Sequence, residues 1–192
     1  TFMNSANSYS LVGAYWPAIE NCTRAIEIDP KKAEAYILRG YAKTRSGDFK
    51  SAVQDFEEAL KLEPENDSAH YRLGNAKAEM GHEKQAIIHY SRAIELNPKN
   101  DYAHFMRGEA HHELGNAEAA IRDYSKSIEL NPNVPEFYHQ RANANVSSKR
   151  YAEAVADFSK AISIQPDNPA FYESRAIARK LVGDSKGAES DL

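Results

Sequence analysis

A single cysteine, Cys22, stands among 192 residues, so an internal disulfide and a cysteine-based zinc cluster are both excluded. No stretch approaches the ~18 consecutive apolar residues of a membrane-spanning helix, and membrane insertion is not expected. Positive charge is not in excess: 24 Lys and Arg face 28 Asp and Glu, a net charge of -4. The chain therefore lacks the basic field that phosphate backbones require, and nucleic acid is not expected as a partner. Glycine is sparse, 9 residues each standing alone, so there is no glycine-rich phosphate loop and no Gly-x-Ser-x-Gly elbow. Residue 1 is Thr and no basic-then-apolar segment follows it. A processed chain would read the same way, so the compartment stays open, the lack of disulfides leaning toward the cytoplasm.

What is present is ordinary in amount and regular in placement. Hydrophobic residues make up 42% and charged residues 27%, the values of a folded chain. Prolines fall at Pro30, Pro64, Pro98, Pro132 and Pro166, each 34 residues after the last. Twelve before each proline stands Ala18, Ala52, Ala86, Ala120 or Ala154; eight before, Cys22, Phe56, Tyr90, Tyr124 or Phe158. Small residues recur 24 before, as Ala6, Gly40, Gly74, Gly108 and Ala142. Within one unit, Ala52, Val53, Phe56, Ala59 and Leu60 form one apolar helical face. Tyr36, Ile37, Gly40 and Tyr41 form an earlier one. Gly47 lies between them and recurs as Gly13, Gly81, Gly115 and Gly183, where a left-handed residue closes a helix. Pro135 and Pro169 sit where a first helix starts, a place that suits proline. Each unit thus reads as helix, tight turn, helix, proline-marked turn. One such pair cannot bury both its faces, so units must stack.

These residues resemble the tetratricopeptide repeat family over essentially the whole chain. The resemblance implies an all-α superhelical solenoid of stacked antiparallel helix pairs. The array covers 1–192, with units at about 1–32 (partial), 33–66, 67–100, 101–134, 135–168 and 169–192 (partial). The family is mostly a protein-interaction scaffold with many unrelated partners. Three departures stand out. The aromatic often found 21 before the proline is replaced by Lys43, Lys77, His111 and Asn145. The inner-turn glycine becomes Lys149. The first unit is ragged, with Trp16 and Pro17 expected at its turn. No polar cap follows Leu192, so the chain reads as a piece of a longer protein, and self-association through uncapped ends stays open.

Candidate chemistry is thin. Glu109 and His112 have the Glu-x-x-His spacing of carboxylate metal sites, but the neighbouring first helices offer only His139, and the pair reads as surface or interface. Cys22 takes a place held elsewhere by Phe or Tyr and reads as a buried small hydrophobe. Lys149 and Arg150 make one basic turn. No enzyme, cofactor or metal is expected.

The resemblance implies that the first helices line a concave surface. The relevant stripe includes Tyr41, Arg45, Tyr71, Asn75, Tyr102, Phe105, Glu109, His112, His139 and Asn143, with Met3, Asn7 and Leu11 in the ragged unit. Aromatics supply contact area, and a side-chain amide can hold a peptide backbone through donor and acceptor. The stripe carries the acids Glu34, Glu79, Glu109, Glu113, Glu136 and Glu173 against the bases Arg45 and Lys180. The expected partner is therefore a protein or peptide segment, neutral or basic rather than acidic. Two rival expectations are the recognition arm of a larger enzyme, such as a glycosyltransferase or phosphatase, and an assembly subunit binding through its edges.

An internal ion pair is also expected. Arg39, Arg107 and Arg141 stand 25 before the proline, with Arg175 in the partial last unit, and Asp55, Asp123 and Asp157 nine before, with Asp191 in the partial unit. In the 67–100 unit both change together, to Leu73 and His89; in the ragged unit both are lost, as Ser5 and Asn21.

Overall fold

The computed structural model describes residues 15–192, so Met3, Ser5, Ala6, Asn7, Leu11 and Gly13 lie outside the described residues. Among those described, eleven helices follow one another without a strand. They divide into two compact units, Thr1–Pro98 and Lys99–Leu192. The first holds α1 (Tyr15–Ile28), α2 (Ala33–Arg45), α3 (Phe49–Leu62), α4 (Asp67–Glu79) and α5 (Glu83–Leu96). The second holds α6 (Asp101–Glu113), α7 (Ala117–Leu130), α8 (Pro135–Ser147), α9 (Tyr151–Ile164), α10 (Pro169–Val182) and α11 (Ser185–Asp191). Even-numbered helices are first helices of their repeats, and odd-numbered ones are second helices.

Local chemistry sets the helix ends. The side chains of Asp48, Asn66 and Asn100 accept from the backbone N–H groups of Ser51, Ala69 and Ala103, satisfying donors left open by a first turn. Pro135 and Pro169 open α8 and α10. Pro17 and Trp16 lie within the first turn of α1 rather than in a loop; a proline there forfeits an N–H that had no helical partner. Gly47, Gly81, Gly115 and Gly183 all have positive φ, and Lys149 adopts φ 60° at the equivalent place.

Pairs pack ring onto glycine. A Cβ on Gly40 would lie 2.7 Å from the Phe56 ring, on Gly74 2.6 Å from Tyr90, and on Gly108 2.8 Å from Tyr124. These rings are fully buried, and Cys22 takes the same buried place in α1. The ring also reaches the following repeat: Phe56 clusters with Leu73 and Ala76 of α4, Phe158 with Ala178 of α10. Burial pushes the Cys22 thiol up to about 11, which keeps it protonated and unreactive.

Candidate functional site

Behind the first helices lies a repeated polar bridge. Arg39 reaches Asp55 at 2.7 Å, Arg107 reaches Asp123 at 2.7 Å, Arg141 reaches Asp157 at 2.7 Å, and Arg175 reaches Asp191 at 2.9 Å. The geometry is fork to fork, with both carboxylate oxygens engaged. Burial works against the Asp123 charge, but the Arg107 hydrogen bond and its charge, with His104 beside it, hold the carboxyl below its usual range. Two of the residues 21 before a proline, and their equivalent in the partial last repeat, act here. Lys43 Nζ lies 2.7 Å from Asp55, Asn145 Nδ2 3.3 Å from Asp157, and Arg179 Nη1 2.8 Å from Asp191. In these three repeats a second donor to the same carboxylate stands where the resemblance leads one to expect an aromatic.

Three of these arginines also reach backward. Arg39 donates to the Thr23 hydroxyl of α1 at 3.2 Å, Arg141 to Ser125 of α7 at 3.0 Å, and Arg175 to Ser159 of α9 at 3.0 Å. One guanidinium therefore ties its own pair to the preceding second helix. Where the arginine is missing, at Leu73, the corresponding residue of α3 is Glu57, and Lys77 pairs with it at 3.4 Å. Sequence reasoning found the Arg–Asp pairs and missed the third partner. Its signal was available, seven residues before each proline.

In the first unit the face of α2 and α4 carries Tyr41, Arg45, Tyr71 and Asn75. Asn75 Oδ1 accepts the Tyr90 hydroxyl at 2.8 Å, and the Tyr71 ring leans on Tyr90. Arg45 is exposed and borders Tyr15. Arg72, which lay outside the expected stripe, stacks over Tyr41 at 4.5 Å. It brings a second cation here, so Glu34 and Glu79 are matched by Arg45 and Arg72. The acidic surplus expected along the whole stripe is absent from this unit.

In the second unit the surplus remains. Glu113, Glu136 and Glu173 are exposed, against Lys180. Phe105 is wedged between Tyr124 and Phe137, filling the gap between helices, while Tyr102 stands edge-on to both phenyl rings of Phe105 and Phe137 and stays 47% exposed. Glu109 is not a free acid: it accepts from the Tyr124 hydroxyl and from Gln140 Nε2, and burial raises its carboxyl above the usual range despite those bonds. Asn143 donates to Gln140 Oε1 at 2.8 Å. His112 and His139 bond the hydroxyls of Ser147 and Ser174 on the next first helix, each at 3.1 Å. Both asparagines of the stripe thus have one end committed inside the protein, where two free ends were expected.

The residues that sequence reading missed share one register. Arg72 and Gln140 stand 26 before Pro98 and Pro166, one place beyond the stripe, Ser174 is their equivalent in the partial last repeat, and each reaches back to the preceding first helix. Among the described residues no group of three or more His, Cys, Asp or Glu side chains could hold a metal ion, and no helix is long and apolar enough to cross a membrane.

Comparison with known proteins places this architecture. A family model described as "TPR repeat" matches residues 40–81, 108–148 and 142–183, and two described as "Tetratricopeptide repeat" match 68–100 and 89–122. Among solved structures, YrrB, described as a TPR protein with an unusual peptide-binding site, is 27% identical with TM-score 0.76, covering 93% of this chain and 90% of its own. MamA is 25% identical with TM-score 0.76, covering 79% and 89%. Pseudomonas aeruginosa pilF is 19% identical with TM-score 0.87, covering 99% and 86%, which speaks to fold alone. No curated protein matched. The period that the prolines mark out is the period of this family, and the chain belongs to it: it is a tetratricopeptide repeat protein.

Proposed function

We propose that this protein is an interaction scaffold that holds a peptide or extended partner segment, neutral or basic and partly apolar, against its first-helix faces. The observation that carries the reading is the face of α6, α8 and α10: a half-exposed Tyr102 held by two phenyl rings, beside exposed carboxylates with a single lysine among them. Aromatic area with polar groups in fixed positions is what a binding surface supplies, and an acidic rim favours basic segments and repels carboxylates. The likeness to YrrB, whose description names a peptide-binding site, supports it. The preference for basic segments belongs to the second unit, because Arg72 balances the first.

A peptide panel of matched length, read by calorimetry at low and high salt, tests this. Neutral and basic peptides should bind, with modest affinity because an extended chain is ordered on binding. Basic ones should weaken as salt rises. Preference for acidic-tailed peptides, or binding indifferent to Tyr102→Ala combined with Asn143→Ala, would remove this reading and favour an edge or second-helix surface.

A further inference from the structure

Four side chains form one line of hydrogen bonds across three helices of the second unit. Tyr124 of α7, fully buried, gives its phenol hydrogen to Glu109 Oε1 on α6. Gln140 of α8 gives an Nε2 hydrogen to Glu109 Oε2 at 2.9 Å. Gln140 Oε1 receives one from Asn143 Nδ2 at 2.8 Å. The direction of this line is dictated at one end. An ionised carboxylate only accepts, so Tyr124 and Gln140 must both turn donors toward it. Gln140 is left presenting its oxygen to Asn143, which must answer with nitrogen. An amide can otherwise turn over at little cost, since its two ends have nearly the same shape. Asn143 Oδ1 takes no hydrogen bond among the described residues.

We infer that Glu109, acting through Gln140, fixes the Asn143 amide so that Oδ1 is the atom offered to the partner, and that this stretch selects a segment bringing a donor there, a peptide N–H or a protonated Lys or Arg. The inference rests on the proposed binding function and names its chemistry. Glu109 is a positioning residue, and Gln140 its intermediary. A proton taken from solvent onto Glu109 Oε2 reverses the line: the carboxyl donates to Gln140, Gln140 turns over, and Asn143 offers nitrogen instead. The groups bearing on that proton are Tyr124 from α7, Gln140 from α8, and His112 and Glu113 from α6 itself; His112 favours the ionised form and Glu113 opposes it. Glu109→Gln imitates the protonated state, because an amide both donates and accepts.

The test has a ligand-free arm and a binding arm. In the free protein, the side-chain amide resonances of Gln140 and Asn143 should titrate together, with a midpoint above that of an ordinary carboxylate. They should be flat in Glu109→Gln. Gln140→Met should silence the Asn143 titration while the chain keeps its helical circular dichroism. In the binding arm, the tightest neutral or basic peptide of the panel is compared with its singly N-methylated forms. One position should cost the native protein about tenfold in affinity, the worth of one good hydrogen bond, and that discrimination should vanish in Glu109→Gln, which turns Asn143 over, and weaken in Gln140→Met, which frees it to offer either end. Asn143 resonances that ignore the Glu109 titration overturn the relay, whatever binds. N-methyl discrimination that is absent, or persists unchanged in Gln140→Met, overturns the donor selection. A panel in which no peptide binds overturns the functional reading, while the resonances still decide the relay.

Discussion

At the scale of single residues, backbone conformation and close approach dominate. Lys149 occupies φ 60° where four other repeats use glycine. A side chain in that region is strained, so Lys149→Gly should stabilise the chain by about 1 kcal/mol, read as a raised denaturant midpoint with an unchanged slope. Gly74 is the opposite case. Its helix is right-handed, but a Cβ would lie 2.6 Å from the buried Tyr90 ring. Gly74→Ala should cost about 1–3 kcal/mol as an overpacked core, although alanine is the better helix former. Both positions were legible in the sequence because period 34 exposes the exception and the rule alike. Arg72 and Gln140 were not. Their place one residue beyond the stripe depends on how far adjacent first helices rotate toward each other, and a periodicity gives no such angle.

Between elements, the arginine bridge and a histidine pair make separate claims. Asp157 is nearly covered, while Arg141 keeps 24% of its side chain exposed and holds Ser125 as well. Asp157→Ala should therefore cost about 3 kcal/mol, the low end for breaking a buried pair. Combined with Arg141→Ala, the two costs should fall short of adding, since each removes the other's partner. In the 67–100 repeat the rings of His70 and His89 meet nitrogen to nitrogen, with Nδ1 atoms 3.4 Å apart. His70 Nε2 bonds the Pro64 carbonyl at 3.1 Å, as the hydroxyls of Tyr138 and Tyr172 bond Pro132 and Pro166. A carbonyl only accepts, so His70 carries its hydrogen on Nε2 and His89 donates from Nδ1. Burial first, then His70 and Lys77, lower the pKa of His89, with Glu57 opposing; burial lowers His139 in the same direction. An unfolded histidine titrates near about 6.5. Below that pH the unfolded chain binds more protons than the native one, so this contribution is complete above it and is lost as pH falls toward the depressed native values. The melting temperature should drop on acidification from about 6.5, and His89→Asn should flatten that slope. The pairing of Arg with Asp could be read from co-occurrence alone. The His70–His89 contact could not, because it occurs once.

For the whole molecule, the repeat makes stability a matter of neighbours. Within each unit, helix pairs rest on their neighbours through a buried ring, as Phe56 and Phe158 do, and through a guanidinium where the arginine is present, with no strand to knit distant parts together among the described residues. Circular dichroism should be dominantly helical. Hydrogen exchange in Gly74→Ala should lose protection most in α4 and α5, less in α2 and α3, and least in α8 to α10, as nearest-neighbour stacking requires. Uniform loss along the chain would point to a single cooperative core instead. Fold class was legible throughout because identical spacing repeats it five times. The binding face was legible as a register and not as chemistry, since the charge of a surface depends on which neighbours lean onto it.

The backward reach of the arginines bears on how such a protein can be cut and respliced. A 34-residue stretch ending at its proline looks like a cassette, but its guanidinium needs a hydroxyl from the stretch before it. The exception confirms the grammar: Leu73, Lys77 and His89 sit after Glu57, and moving that block alone would strand a carboxylate behind and bring a lysine to a serine. The exchangeable module therefore runs from the second helix of one repeat through the first helix of the next, out of phase with the prolines. Chimeras joined on that frame should fold, and those joined at the prolines should lose one bridge at every mismatched seam.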